Sequence, residues 1–138
     1  MATVGDIVAR TLRLIRVNDA TQNPAPEDFA TCIVALNAMM ARWEADGLSL
    51  GWIPVSLPSE PLPAPVEAEE CITYQLCGRV ADEYGKQVSA VVAAIAGQTY
   101  DSLLRDVKNA SPIIQCSNAP RAESAVYRGY NMYTDTFR

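Results

Sequence analysis

A chain of 138 residues, 49% hydrophobic and 20% charged, is long enough for one real core, too short for two, and too apolar for global disorder. Its net charge of −5 argues against a nucleic-acid-binding surface as its main business. No apolar run approaches the roughly 20 residues of a membrane span, and the N-terminus lacks a charged-then-apolar signal pattern, so a soluble protein made in the cytoplasm is expected.

Thr3 opens the first predicted helix as a candidate N-cap, with Asp6 three residues on as a weak capping-box analogue. Val4, Ile7, Val8, Leu12 and Ile15 form its apolar stripe, and Arg10, Arg13 and Arg16 line a neighbouring face. Such a row is expected to be a solvated helix face pairing with local carboxylates. The polar turn NDATQNPA then delivers the chain to a second helix, expected to pack on the first as an antiparallel hairpin.

That second stretch, residues 26–52, reads as the spine of a helical module. Pro26 suits a first helical turn, where its missing N–H is not needed, and Glu27 and Asp28 suit the positive end of the helix dipole. Phe29, Ile33, Leu36, Met40 and Trp43 recur at steps of three and four. Gly47 follows the last of them, where a left-handed cap is easiest for glycine, and Leu48 is placed to fold back on it.

Five of the nine prolines, Pro54, Pro58, Pro61, Pro63 and Pro65, then fall within residues 48–65. Proline at this density forbids helix and central strand, so the segment runs extended or as turns. Trp52, Ile53, Val55, Leu57 and Leu62 make it apolar as well. Two roles stand open for this strap: packing across the helices, or reaching a neighbouring subunit, with Trp52, Ile53, Val55 and Leu57 as the candidate inter-subunit residues.

A third helix is predicted over residues 66–84. Glu67, Glu69 and Glu70 lie in its first turn, Ile72, Leu76, Val80 and Tyr84 recur every four residues, and Gly85 closes it. Gly78 inside it costs about 1 kcal/mol relative to alanine, for which close approach of another helix is the expected reason. A fourth helix is predicted over residues 89–109. Val91, Val92, Ile95, Thr99, Leu103, Leu104 and Val107 are its expected buried side, and Ala93, Ala94, Ala96 and Gly97 permit tight packing.

The last stretch, residues 111–138, carries a net +1 against −6 for residues 1–109. Its aromatic residues, Tyr127, Tyr130, Tyr133 and Phe137, are spaced as one helix face, but Gly129, Asn131, Thr134, Asp135 and Thr136 disfavour an isolated helix. Tyrosine and arginine give large contact area with polar tips and anchor interfaces. The stretch therefore reads as an arm ordered by docking, with Tyr127, Arg128, Tyr130, Tyr133, Phe137 and Arg138 as its partner-binding residues. The expected fold is all-α: a four-helix bundle-like core with a proline-rich extended connection and an extended C-terminal arm. The domains are 1–109, the helical body, and 110–138, the interaction arm.

Catalytic and metal chemistry find little footing. There is no histidine, which removes Ser-His-Asp and Cys-His nucleophiles. The cysteines Cys32, Cys71, Cys77 and Cys116 form no Cys-x-x-Cys pair, so free buried thiols are expected rather than a zinc site; no metal or other cofactor is implied. A carboxylate-dependent glycoside hydrolase would need two opposed acids, and Glu44, Asp46, Glu69 and Glu70 sit where a helix surface or end places them anyway.

Three stretches together, MATVGDIVARTLRLIRV, PEDFATCIVALNAMMARWEADGL and EECITYQLCGRVADEYG, resemble the head-completion or head–tail adaptor proteins of tailed phages, most of all the packaged-DNA stabilisation proteins, or tail accessory factors, of short-tailed phages. The likeness runs through residues 1–105 and rests on Ala35, Leu36, Asn37, Met40, Trp43, Gly47 and Leu48, then on residues 81–85. It departs from that group in having the proline strap where relatives often carry a hairpin-like insertion, and in an aromatic tail from Pro120 onward that matches no motif of the group. It implies a non-enzymatic virion component at the head–tail junction that binds the portal protein as a ring of about twelve copies, heterologous contacts closing the ring. Such a ring would extend the DNA channel, help retain packaged DNA without sequence-specific binding, and offer a platform to a tail or nozzle protein. A small cytoplasmic helical homo-oligomer without viral role is the alternative.

Overall fold

The computed structural model describes residues 1–110 together with the backbone of residues 130–131 and 136–137. Four helices carry the fold: α1 (Val4–Leu14), α2 (Pro26–Ala45), α3 (Val66–Val80) and α4 (Ala90–Ala110). The chain divides into two compact units, Met1–Lys108 and Asn109–Arg138. In the second, β1 (Tyr130–Asn131) pairs antiparallel with β2 (Thr136–Phe137), with Tyr130 opposite Phe137.

The caps explain where the helices begin and end. Thr3 and Asp6 form a complete capping box: the Thr3 hydroxyl accepts from the Asp6 N–H at 3.2 Å, and the Asp6 carboxylate accepts from the Thr3 N–H at 3.0 Å. Those bonds, the backbone one foremost, hold the Asp6 carboxyl below the usual carboxylate range. At the other end of α1, Arg16 takes the left-handed conformation at φ 58°, and the Val17 N–H closes onto the Leu12 carbonyl at 3.0 Å. Gly47 does the same for α2 at φ 92°: its N–H bonds the Glu44 carbonyl and the Leu48 N–H bonds the Trp43 carbonyl at 2.9 Å. Leu48 is buried, so the expected glycine cap and its hydrophobic partner are both present. α3 ends four residues earlier than its periodicity implies. Residues 81–85 continue as turns, and Gly85 (φ 62°) makes the left-handed stop, with the Lys86 N–H on the Ala81 carbonyl.

The spine of the body is α3, not α2. α3 packs closely on both α1 and α2, which also touch one another. It buries Ala68, Cys71, Ile72, Thr73, Leu76, Cys77 and Val80, more than one stripe of its circumference. Thr73 fits there because its hydroxyl donates back to the Glu69 carbonyl at 2.8 Å, and Thr11 does likewise to Ile7 at 2.9 Å. Val4, Val8 and Leu12 from α1 and Leu36, Met39, Met40 and Trp43 from α2 complete the core. Cys32, Cys71 and Cys77 are free and buried, as expected, and burial pushes each thiol up to about 11.

α4 is held differently. It joins through side chains rather than close backbone approach. Trp43 stacks tilted on Tyr100 with ring centroids 5.3 Å apart, and the Gln75 amide donates to the Ala96 carbonyl at 3.0 Å. Of the side chains expected inside, only Val92 and Leu103 are buried; Ile95, Thr99, Leu104 and Val107 are half-buried and Val91 is 68% exposed. Val91 lies roughly 120° round the helix from Leu103, too far to share its face. Two expectations about small residues fail for the same reason. Among the described residues, a Cβ added at Gly78 or Gly97 would meet nothing within 4 Å, so no described helix approaches closely there.

Candidate assembly surface

Residues 48–65 take the first of the two roles left open. The strap lies across α1 and α2, held by the burial of Leu48, Val55 and Leu62 in the core and by hydrogen bonds that are made mostly by its main-chain atoms. The Val4 N–H donates to the Glu60 carbonyl at 3.0 Å, the Gly5 N–H to the Pro58 carbonyl at 2.8 Å, and the Leu62 N–H to the Ala2 carbonyl at 3.1 Å. Thr3 and Pro61 form an isolated antiparallel bridge. Glycine at position 5 suits this close approach, since a Cβ there would stand 3.0 Å from the Pro58 carbonyl oxygen and force the strap to give by a few tenths of an ångström. The Glu60 carboxylate turns inward and accepts from the Leu57 and Ser56 N–H groups at 2.8 and 3.2 Å.

Asn37 supplies the second tether. Its amide nitrogen donates to the Val55 carbonyl at 2.8 Å, and its amide oxygen accepts from the Val55 N–H at 3.1 Å. An amide side chain presents one donor and one acceptor in a plane, so Asn37 pairs with Val55 as a neighbouring strand would. The same oxygen takes the Trp52 indole N–H at 3.2 Å.

This anchoring sorts the four candidate inter-subunit residues. Val55 is buried in the protein's own core and Trp52 is half-buried with its N–H satisfied, whereas Ile53 and Leu57 face outward at 68% and 58% exposure. A cavity of about 300 Å³ opens between the start of α2 and the strap, lined by Pro24, Pro26, Phe29, Ala30, Ile33 and Pro58 among others. Val34 is 70% exposed, on the face of α2 opposite its core stripe, with Ala30, Ala38 and Ala41 exposed around it. Sequence periodicity passes over Val34; the available signal was an apolar residue standing off the Phe29–Ile33–Leu36–Met40–Trp43 stripe. Of the arm's candidates, Tyr130 and Phe137 are strand partners in backbone register, while Tyr127, Arg128, Tyr133 and Arg138 lie outside the described residues.

Several of the other polar groups are engaged in structure. The Tyr84 hydroxyl donates to Asp28 at 2.8 Å, tying the turn after α3 to the start of α2, and burial raises the phenol well above its ordinary value. Arg42 pairs with Asp46 at 3.1 Å, Arg10 lies 6.0 Å from the Tyr74 ring centroid, and the Arg13 guanidinium donates to the Ala9 carbonyl. Glu69 accepts from the Ala2 N–H at 3.3 Å. Glu67, Glu70 and Asp106 border a cavity of about 260 Å³ with Gln98, Thr99 and Ser102. Among the described residues no cluster of Cys, Asp and Glu could hold a metal ion, and no helix is long and apolar enough to cross a membrane.

No curated protein matches the chain. The family described as P22 tail accessory factor matches it over residues 1–136, the arm included. An all-α body with a tethered apolar strap and outward-facing valine, isoleucine and leucine side chains accords with a structural part of a virion. On the extent of that match, the chain belongs to the P22 tail accessory factor family of bacteriophages.

Proposed function

We propose that the protein is a head-to-tail adaptor that binds the portal as a ring, extends the DNA channel, helps retain packaged DNA and carries the next tail or nozzle component. The family match over residues 1–136 carries this reading. In it, residues 1–109 are the adaptor body and residues 110–138 the arm that reaches the portal. Tyr127, Arg128, Tyr130, Tyr133, Phe137 and Arg138 supply aromatic area and guanidinium donors for that contact. Ile53 and Leu57 meet a neighbouring copy, while Val55 and Trp52 hold the strap in place from within. Ring closure with about twelve copies needs two unlike patches on each protomer. The body's net charge of −6 suits a channel wall that lets DNA slide, because it offers no excess of cations to displace counterions from phosphate. No catalytic step is part of this role.

The experiment is to mix the purified chain with the portal of its own phage and determine the mass of the complex. A ring of copies on the portal is expected, and deletion of residues 120–138 is expected to abolish it. A portal that stays bare, or a deletion without effect, overturns the proposal.

A further inference from the structure

We infer that the outward face of the first half of α4 on one copy docks onto the strap and the outward face of α2 on the next. This rests on the ring reading above and specifies its contact. Copies of a chain with net charge −5 repel one another, least where both surfaces are uncharged. The body has three long uncharged stretches: between Asp28 and Arg42, between Asp46 and Glu60, and between Lys86 and Asp101. The first two are tied to one another by the Asn37–Val55 bonds, and Val34 on α2 and Ile53 and Leu57 on the strap stand exposed; Ala30 and Ile33 of α2 and Ser56 and Pro58 of the strap line the shared cavity of about 300 Å³. The third is the first half of α4, where Ala90, Val91, Ala93, Ala94 and Gly97 are exposed.

A helix apolar on every side is ordinarily buried on every side. α4 covers one side against its own body and leaves the other bare. The two surfaces are unlike, one a stretch of helix built of small residues with Val91 on its flank and the other α2 and the strap around a cavity lined by prolines, Phe29 and Ile33. Head-to-tail closure requires that unlikeness. Small residues flanking Val91 on α4, and Ala30, Ala38 and Ala41 flanking Val34 on α2, permit helix axes to approach near the lower end of the usual 8–10 Å range. Gly97, which no described residue crowds, then faces the incoming copy.

Disulfide trapping tests the contact, because the core thiols Cys32, Cys71 and Cys77 are buried and stay silent. In a Cys116→Ser background of the full chain, Val91→Cys and Leu57→Cys are introduced together, and the protein is oxidised with its portal. A ladder of covalent multimers is expected from the double variant, with loss of the ladder for either single variant. Crosslinked dimers from Val91→Cys alone would mean a two-fold contact of like faces and overturn the inference. Val91→Glu, at a site 68% exposed, is expected to leave the melting temperature unchanged and to abolish copy-to-copy association. A ring that persists in Val91→Glu, without a ladder in the double variant, overturns this contact and leaves the ring standing. A wild-type chain that forms no ring overturns both.

Discussion

α3 and α4 look alike as strings of residues, each an apolar pattern of about four turns or more, yet they occupy opposite situations. α3 is enclosed by α1 and α2 and buries side chains round most of its circumference; α4 buries two and leans on the body through Trp43–Tyr100 and Gln75–Ala96. Between these extremes lies the strap, which has no regular structure but is bonded to α1 and α2 as firmly as a strand to a sheet. The difference teaches that hydrophobic content marks a segment as needing cover without saying whose. In α3 the cover is intramolecular. On α4 and the strap, a large part of the apolar surface stays exposed.

Truncation breaks or sharpens this contrast most directly. Leu76→Ala, in the enclosed helix, should lower stability by about 2–5 kcal/mol, while Leu104→Ala on half-buried α4 should cost under about 1.5 kcal/mol, measured by urea unfolding. Similar losses would show that α4 is as integral as α3. Asn37→Ala strands the Val55 backbone and the Trp52 indole, for an expected loss of about 1–3 kcal/mol. Hydrogen exchange at the Val55 amide should accelerate more than at α3 amides if the strap loosens before the core.

The same substitution at two glycines should have opposite signs. Gly5→Ala drives a methyl against the Pro58 carbonyl and is expected to destabilise by about 1 kcal/mol, whereas Gly97→Ala gains helix propensity in open space, about 0.5–1 kcal/mol. Calorimetry of the isolated body separates the two. Arg16→Gly, relieving a left-handed residue, should add up to about 1 kcal/mol. The smallest effect at neutral pH comes from the thiols. Cys32, Cys71 and Cys77 have folded pKa values raised from 9.0 to about 11, so the stability they contribute is fully present below pH 9 and is lost as pH rises toward 11. The melting temperature should be flat from pH 7 to 8.5 and fall above 9, with thiol titration by a disulfide reagent slow in the same flat region.

Local chemistry made much of the body legible. The Thr3–Asp6 box, Pro26 at the start of α2, and Gly47 with Leu48 at its end are short-range signals, and the structure realises each of them. What periodicity could not distinguish was which helix is central, since α2 and α3 both repeat correctly and only tertiary contact ranks them. It also could not tell Val92 from Val91, because adjacent valines at a stripe's margin look equivalent until the neighbour is in place. The strap's course was hidden for another reason: its anchors are backbone groups and one asparagine, and backbone groups leave no mark in a sequence. Asn37 stood in plain view within the Ala35-Leu36-Asn37 motif, but its role depends on a segment some eighteen positions later.

Nearly every bond that fixes the strap grips the main chain, which every residue type supplies. Leu48, Val55 and Leu62 hold it from within, whereas the side chains at 53 and 57 point outward at 68% and 58% exposure. Those two positions can therefore be exchanged for larger, smaller or charged residues without loosening the fold, much as lettering on a label changes without altering its adhesive. A phage lineage could change the outward chemistry of this surface by rewriting two letters on a backbone that stays where Asn37 and Gly5 put it.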